Sequence, residues 1–315
     1  MVDNDNSCLI FVCGALRSGT SLLHLMLNKH PRLSNPGEFD FLFDMIGEDG
    51  SYPDVDTYIN WLHTHRIFIA KLLSIPDSVQ NFQQLLSGFV RQLSQPDKVL
   101  TLNVHRHFHR IPPLFPDAKY IHLIRDPRDV ARSSIGMGWA GNVFYGVDHW
   151  LESEHSWQKL KSQLSAVQFI EIRFEDLIAE PEATLRKLCE FVAVPYDDEM
   201  LNYAATSTYA APDISLINQW QTKLSSQQIQ QVEFKAAQLM KSLGYQTSGQ
   251  TTVEPGLWKR LYLFMQNKLY KLQFEIKRYG FCLSLTGRLA RWLMLNGLQK
   301  SARLKKNEID KQVLK

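Results

Sequence analysis

The order of apolar and polar positions predicts a parallel β-sheet with helices between its strands. Almost wholly apolar runs, typical of central strands buried on both faces, occur at residues 9–13, 99–104, 119–125 and 167–174. Apolar residues three or four positions apart, typical of amphipathic helices, occur at 22–27, 55–93, 147–165, 181–192 and 225–243. Because strands alternate with helices, we expect an α/β fold of three layers, with helices flanking a parallel central sheet. Residues 204–224 follow neither pattern and are predicted to form a surface loop.

The pattern changes after residue 249. From Trp258 to Ile276 the apolar residues form one stripe of a helix, and a second apolar segment runs from 281 to 298. Residues 251–315 carry fourteen Lys and Arg against four Asp and Glu, a net charge of +10, whereas the preceding 250 residues have a net charge of −7. We therefore expect a domain over residues 1–249 and a basic, amphipathic helical extension over residues 250–315. Two interpretations of the extension stay open: it packs on the domain or on a second copy in a homodimer, or it lies on an anionic membrane surface.

Composition and cysteine spacing limit the cellular setting and the kind of site. An apolar fraction of 44% and a charged fraction of 21% are typical of a globular protein. No stretch approaches the roughly eighteen apolar residues of a spanning helix, and the first residues lack the basic segment of a signal peptide. We expect a cytoplasmic protein, either free or peripheral on the inner face of the membrane. The four cysteines (8, 13, 189 and 282) form no Cys-x-x-Cys pair, and the His105, His107 and His109 cluster has no partner at ligand spacing, so neither a disulfide framework nor a metal site is expected.

The first strand leads into a loop suited to phosphate. Gly14 and Gly19 bracket the loop, and Thr20 and Ser21 begin the helix that follows. Backbone N–H groups at such a loop and the positive end of the helix dipole bind anions. Thr20 stands where a Walker A loop requires Lys, and the cation is Arg17, inside the loop. Ser18 or Thr20 is predicted to cap the helix. The alternative is a glycine-rich turn that binds nothing.

A second anion site is predicted where the strand over 119–125 ends. Arg125 closes this strand, Asp126 is suited to the N-cap and Pro127 to the first position of the next helix. Further cations and hydroxyls, among them Ser133, follow within two turns. A charged but exposed helix start is the alternative interpretation. The glycines at 136, 138 and 141 predict a flexible segment able to close over a ligand.

Glu38 is a candidate general base, and His105 is expected at the same edge of the sheet. Glu38 follows the turn made by residues 35–37 and leads an apolar patch, whereas His105 directly follows the strand over 99–104. Ligands of open parallel sheets bind beyond the carboxyl ends of the strands, where both residues are expected. A carboxylate that merely stabilises a helix start is the alternative role for Glu38.

Three motifs, in order, resemble those of the PAPS-dependent sulfotransferases, in particular the bacterial-type family with the P-loop sulfotransferase fold. The likeness covers roughly residues 8–245. Residues 15–21, Ala-Leu-Arg-Ser-Gly-Thr-Ser, resemble the family's 5′-phosphosulfate loop, and residues 125–133, Arg-Asp-Pro-Arg-Asp-Val-Ala-Arg-Ser, its 3′-phosphate motif. Residues 173–177, Arg-Phe-Glu-Asp-Leu, resemble its Arg-Tyr-Glu-Asp-Leu strand end, whose aromatic ring lies near the adenine.

The resemblance implies sulfuryl transfer from PAPS to a hydroxyl group, less often an amine, of a carbohydrate, lipid or small-molecule acceptor. PAP is the product, and neither a metal nor a nucleic-acid partner is implied. The implied nucleotide-binding residues are Arg17, Ser18, Gly19, Thr20, Ser21, Arg125, Ser133 and Phe174, and the catalytic candidates are Arg17, Glu38 and His105.

This chain departs from the family pattern at two places. Phe174 replaces the usual Tyr, and residues 103–105 are Asn-Val-His where relatives carry a Lys near the leaving group. Golgi-type relatives use a Glu that matches Glu38, and cytosolic ones a His near His105; the type of the first loop favours Glu38. Two rival classes remain: a P-loop kinase or NTPase, and a non-catalytic module that binds nucleotide and membrane.

Overall fold

The sheet at the centre of the fold consists of five parallel strands. The computed structural model describes residues 9–207 and 210–313. The strands are β1 (Ile10–Cys13), β2 (Leu33–Ser34), β3 (Val99–Val104), β4 (Lys119–Ile124) and β5 (Phe169–Arg173), in the order β2-β3-β1-β4-β5. Four of them confirm the predicted strands. β2 was not predicted, because two residues are too few to establish an apolar pattern.

Helices cover both faces of the sheet. Alternate side chains of β1 therefore point to different clusters of buried residues. Phe11 and Cys13 lie in one cluster of buried side chains with α2 (Val55–Leu62), α4 (Phe82–Leu93) and α7 (Asp148–Lys161). Ile10 and Val12 lie in another, with α1 (Thr20–Lys29) and α9 (Pro181–Phe191). Every residue of β1 is fully buried, as expected of a central parallel strand. The predicted three-layer α/β fold is confirmed.

A third cluster surrounds the start of α5 (Pro127–Gly136), with α6 (Val143–Gly146) and α11 (Ser226–Ser242) packed beside it. Asp126 caps α5 as predicted, by accepting a hydrogen bond from the backbone N–H of Arg128. The remaining helices of this part of the chain are α3 (Arg66–Lys71), α8 (Phe174–Ala179) and α10 (Trp220–Lys223). The segment over 204–224, predicted as a surface loop, is therefore partly helical: it contains α10 and a short 3₁₀ turn at Ile214–Leu216, and it begins within the longer 3₁₀ segment Asp198–Thr206.

Three helices form the C-terminal extension: α12 (Leu257–Tyr279), α13 (Phe281–Trp292) and α14 (Asn296–Val313). The first two follow the predicted apolar segments, although α13 ends earlier than expected. α14 lies within the predicted helical extension, although no separate helix was expected there because its sequence is mostly polar. None of the helices in the described ranges has the length and hydropathy that crossing a membrane requires.

The extension packs on the domain at two places. On α12, Asn267 Oδ1 accepts a 2.7 Å hydrogen bond from the Gly141 N–H, and the Leu263 carbonyl accepts one of 2.8 Å from Asn142 Nδ2. On α14, Asn307 Nδ2 donates to the Thr64 carbonyl at 3.0 Å. The glycine segment expected to be flexible is thus packed under α12: a Cβ built on Gly141 would lie 2.7 Å from Asn267 Cα, so only glycine fits there.

Three of the four cysteines lie within the described residues. Cys13 and Cys189 are buried, Cys282 is exposed, and all three are free. Burial raises the pKa of the Cys13 thiol well above its ordinary value. Cys8 lies outside the described residues.

Candidate nucleotide and acceptor site

The loop between β1 and α1 leaves the start of α1 open. Gly19 is the N-cap of α1, with a φ of 94° and no side-chain cap, so neither Ser18 nor Thr20 caps the helix as predicted. Thr20 is not available to the cap because its hydroxyl lies 3.1 Å from His105 Nε2. Ser18 Oγ is buried and has no hydrogen-bond partner among the described residues. First-turn N–H groups without a capping side chain, beside an unpartnered hydroxyl, are suited to holding an anion.

The two predicted anion motifs meet at Arg17. Its Nε donates a 2.9 Å hydrogen bond to Ser133 Oγ on α5, 116 residues away in the sequence. Arg125 Nη1 donates to the Arg17 carbonyl at 3.1 Å, and its Nη2 donates to the Leu216 carbonyl at 3.0 Å. Arg125 Nε is buried without a partner among the described residues. Two guanidinium groups and a hydroxyl thus converge next to the open start of α1.

Phe174 packs between these two motifs. The Arg125 guanidinium carbon lies 4.2 Å from the centroid of the Phe174 ring. On the other side, a Cβ built on Gly19 would lie 2.3 Å from the same ring. Gly19 is therefore required both by its positive φ and by the close approach of the ring. The predicted residue of the third motif lies beside the loop, and its ring is almost wholly buried.

Not every cation of the second motif faces the site. Arg128 is buried, and it donates to Asp126 Oδ2 at 2.6 Å and to Glu233 Oε1 at 2.8 Å. Its guanidinium carbon also lies 3.5 Å from the centroid of the Trp220 ring. Arg128 therefore holds α5 against α10 and α11 and is not an anion ligand. The sequence near Arg128 did not indicate Glu233 as its partner, because the two residues are 105 positions apart.

Glu175 links the third motif to the second, a role that the sequence did not indicate. It accepts a 3.0 Å hydrogen bond from the Asp126 N–H and one of 2.9 Å from the Tyr245 hydroxyl. Burial raises the pKa of the Glu175 carboxyl above its ordinary value. The two hydrogen bonds act in the opposite direction but do not cancel this effect. Glu175 thus fixes the point at which β4 turns into α5.

His105 lies in a buried network with Asp40. Its Nδ1 is 2.7 Å from Asp40 Oδ2, and its backbone N–H donates to Asp40 Oδ1 at 2.7 Å. Burial opposes the imidazolium, but the Asp40 carboxylate outweighs it and raises the pKa of His105. Burial alone would raise the pKa of Asp40, which His105 and Arg106 instead lower to about 2. The sequence analysis did not predict a role for Asp40. Its position two residues after Glu38 could have indicated that it lies near the site.

Glu38, in contrast, has a free carboxylate. It is partly exposed and makes neither a hydrogen bond nor an ion pair through its side chain within the described parts of the chain. A parallel bridge between Glu38 and Asn103 fixes its backbone at the carboxyl end of β3. Asn103 in turn donates from Nδ2 to the Thr20 carbonyl at 3.1 Å. Glu38 is therefore held next to the start of α1.

A cavity of about 980 Å³ adjoins both Glu38 and the loop. Arg17 and Ser21 lie on its wall, as does Asp40. The segment over 55–93, predicted as helical, contributes residues 65–67. Much of the remaining wall comes from α12, α13 and α14, which sequence patterns did not connect with the site. No group of three or more potential metal ligands occurs within residues 9–207 and 210–313.

Sulfotransferases are among the known proteins that are similar in sequence to this chain. Protein-tyrosine sulfotransferase A of Caenorhabditis elegans is 26% identical over 229 residues, covering 68% of this chain and 57% of that protein. Omega-hydroxy-beta-dihydromenaquinone-9 sulfotransferase Stf3 of Mycobacterium bovis is 26% identical over 243 residues, covering 59% of this chain and 62% of that protein. The chain thus spans about six tenths of the length of these two relatives.

The fold has counterparts among solved structures. The sulfotransferase domain of the Synechococcus PCC 7002 olefin synthase superposes with a TM-score of 0.59 at 20% identity, covering 76% of this chain and 94% of that one. The model of the sulfotransferase family matches residues 10–198, which contain the loop after β1, the Arg125 motif and the Phe174 motif. The chain belongs to the sulfotransferase family.

Proposed function

We propose that this chain transfers a sulfuryl group from PAPS to a hydroxyl group, less often an amine, of an acceptor. The observation that carries the proposal is the junction of the two anion motifs through the hydrogen bond from Arg17 to Ser133. This junction borders a cavity that also contains a free carboxylate, Glu38. Membership of the sulfotransferase family supports the same reaction.

The residues around the junction fit a nucleotide with phosphate at both ends of its ribose. Arg17 and the N–H groups at the start of α1 are suited to the 5′-phosphate, and the unpartnered Ser18 Oγ supplies a further donor. Arg125, whose Nε lacks a partner in the described chain, and Ser133 are suited to the 3′-phosphate. PAPS supplies the activated sulfuryl group when bound, and the chain's cations stabilise negative charge at the 5′-phosphate. A sulfuryl group carries less charge than a phosphoryl group, so we expect binding without Mg²⁺.

Glu38 is the proposed general base. Its carboxylate forms neither a hydrogen bond nor an ion pair with a described residue and lies on the cavity wall with Arg17, so an acceptor hydroxyl in the cavity is within its reach. His105 is the alternative, but both of its ring nitrogens are engaged, one by Asp40 and the other by Thr20. We assign His105 to positioning Thr20 and the start of α1. A kinase or NTPase is less well supported, because position 20 holds a Thr bonded to His105 instead of a Lys.

We also propose that the outer face of the extension rests on an anionic bilayer, which would bring a membrane-borne or amphipathic acceptor to the cavity. The support is the exposure of large apolar side chains on α12, on α13 and just after it. The most exposed are Leu257 (78%), Trp258 (81%), Phe281 (63%), Trp292 (79%) and Met294 (82%). Apolar patches of this kind beside a net charge of +10 are typical of interfacial helices.

The nucleotide is tested by calorimetric titration of the full chain with PAP, AMP, ATP and GTP, in EDTA and in Mg²⁺. We expect PAP to bind far more tightly than AMP and to need no Mg²⁺. Arg125→Ala should lower the affinity for PAP by about 10- to 100-fold, because one or two charge-assisted hydrogen bonds are lost. The affinity for AMP should hardly change. Arg125→Lys, which keeps the charge but loses the planar fork, should fall in between.

Two results would contradict the proposal. If Arg125→Ala lowers the affinities for PAP and AMP equally, Arg125 does not bind the 3′-phosphate. Tighter binding of ATP or GTP in Mg²⁺ than of PAP would favour a kinase or NTPase.

A further inference from the structure

The acidic side chains on the cavity wall are almost all neutralised from within the protein. Asp40 faces His105. Glu275 on α12 accepts from Arg288 on α13 and from Lys306 on α14, each at 2.6 Å, and Asp310 accepts from Arg278 at 2.8 Å. These ion pairs join the three helices of the extension to one another. Only Glu38, among the acids of this wall, keeps an unpaired carboxylate in the described chain.

Besides Arg17, four cations on the same wall have no acidic partner among the described residues. They are Arg66 at the start of α3, Lys268 and Lys271 on α12, and Arg291 on α13, and none forms an ion pair with a described residue. Lys268 is oriented over the Phe264 ring, with Nζ 5.3 Å from its centroid. The cavity therefore has a surplus of positive charge contributed mainly by the extension. A concave surface lined by one sign of charge concentrates ligands of the opposite sign.

The same wall is apolar between these cations. Its apolar side chains come from the loop, from α3, from residues 137–139 and from α12: Leu16, Ile67, Met137, Trp139, Leu269 and Leu272. A polyanionic sugar would leave this apolar surface unused, whereas a neutral lipid would leave the four cations without partners. A volume of about 980 Å³ accommodates a ligand that has both an apolar part and a charged group.

We propose that the acceptor is an anionic amphiphile, whose charged group is bound by Lys268, Lys271 and Arg291 while its hydroxyl faces Glu38. The proposal rests on the proposed function, because it concerns the acceptor of that reaction. These three residues determine specificity by charge. They take no part in proton transfer, and they lie on exposed faces of α12 and α13 where substitution leaves the packing intact.

The test uses the full chain saturated with PAP and three probes below their micelle concentrations: n-octyl phosphate, n-octyl glucoside and inorganic phosphate. The variant carries Lys268→Gln, Lys271→Gln and Arg291→Gln. A matched control carries Lys277→Gln, Lys300→Gln and Lys305→Gln, three exposed cations without ion pairs in the described chain that do not line the cavity. Affinities are measured by calorimetry at two salt concentrations, and melting temperatures check that each protein is folded.

We expect n-octyl phosphate to bind the wild-type chain at least about tenfold more tightly than the glucoside or inorganic phosphate, since both parts of the ligand contribute. In the cavity variant the affinity for n-octyl phosphate should fall about tenfold or more, whereas the affinity for the glucoside should not change. The control variant should have the wild-type affinities. The proposal is overturned if n-octyl phosphate binds no better than the glucoside, or if variant and control lose equally. Preference for inorganic phosphate would show a site for a free anion and would also overturn it. PAP affinity, measured separately, reports whether the proposed function itself fails, and the comparison of variant with control stands even then.

Discussion

The two candidate bases differ in what surrounds them. Glu38 is partly exposed beside the cavity and has a free carboxylate, whereas His105 is 3% exposed and lies between Asp40 and Thr20. A residue that must exchange a proton with a substrate needs a path to it, which the geometry offers to Glu38. His105 is better placed to hold α1 in position. Turnover and stability should therefore separate in variants of the two residues.

Glu38→Gln should lower turnover by about 10²- to 10⁴-fold, because the base is lost while the shape of the side chain is nearly kept. PAP affinity and melting temperature should stay at the wild-type values. Turnover is measured as transfer of ³⁵S from labelled PAPS to extracts of cells that lack the gene. If His105→Gln is inactive while Glu38→Gln keeps its turnover, His105 is the base instead.

His105→Gln should lower stability in a pH-dependent way. The pKa of His105 is raised in the folded chain above its ordinary 6.5, so its contribution is fully present below pH 6.5 and is lost as the pH rises through the folded value. The pKa of Asp40 is lowered from 3.8 to about 2, so its contribution is present above pH 3.8 and is lost as the pH falls towards 2. The difference in melting temperature between wild type and His105→Gln should be largest between about pH 4 and 6.5 and shrink above it. A difference independent of pH would show that the imidazolium–carboxylate pair does not stabilise the fold.

At the scale of elements, the sequence predicted the strands and the helix cap that are determined by neighbouring residues. The apolar runs of β1, β3, β4 and β5 and the Asp126 cap depend on neighbouring residues and are confirmed. β2 lacks a pattern because it is two residues long and is held in the sheet by its pairing with β3. The segment near Gly141, predicted to be flexible, packs against α12, and no local pattern indicated this contact because Asn267 is 126 positions away.

Gly141→Ala tests whether α12 is required as a wall of the cavity. The added Cβ would lie 2.7 Å from the backbone of Asn267, so α12 must move away. We expect turnover to fall at least about tenfold and the melting temperature to drop by several degrees, with PAP affinity unchanged. Gly136→Ala is the control, because a Cβ at Gly136 meets no atom within 4 Å. A simultaneous loss of PAP affinity in Gly141→Ala would mean that the extension also supports the nucleotide loop.

At the scale of the whole molecule, the site is assembled from segments far apart in the chain. The motifs predicted three groups of candidate nucleotide-site residues, among which Arg17 lies in the loop after β1, Arg125 directly follows β4 and Ser133 lies within α5. That Arg17 bonds Ser133, or that Asp40 bonds His105, follows from the packing of elements and from no local pattern. The C-terminal wall of the cavity was missed for the same reason, although its charge was counted correctly.

The bilayer proposal predicts co-sedimentation of the full chain with vesicles that contain an anionic lipid at low salt, and little with neutral vesicles. Trp258→Ser with Trp292→Ser should reduce the bound fraction severalfold, since both rings are about 80% exposed and would insert into the interface. Leu72→Ser is the control, an apolar side chain 90% exposed but outside the extension. Truncation at residue 249 is less informative than substitution, because it also removes a wall of the cavity.

Binding to neither kind of vesicle would refute membrane contact. If the wild type then sediments as a dimer in the ultracentrifuge and the Trp variant as a monomer, the exposed face is covered by a second copy of the chain.

The docking of α14 has a consequence for the order in which the protein becomes functional during its synthesis. Asn307 and its partner Thr64 are 243 residues apart, and Arg303 contacts the same Thr64 from 239 residues away. Domains fold from the N-terminus as the chain emerges from the ribosome, at about 5–20 residues per second. The β1 loop, Arg125 and Phe174 are therefore translated well before the helix that completes the cavity. A nascent chain at that stage has all three motifs but lacks the C-terminal wall of the cavity, so the proposed function predicts that it binds nucleotide before it can enclose an acceptor.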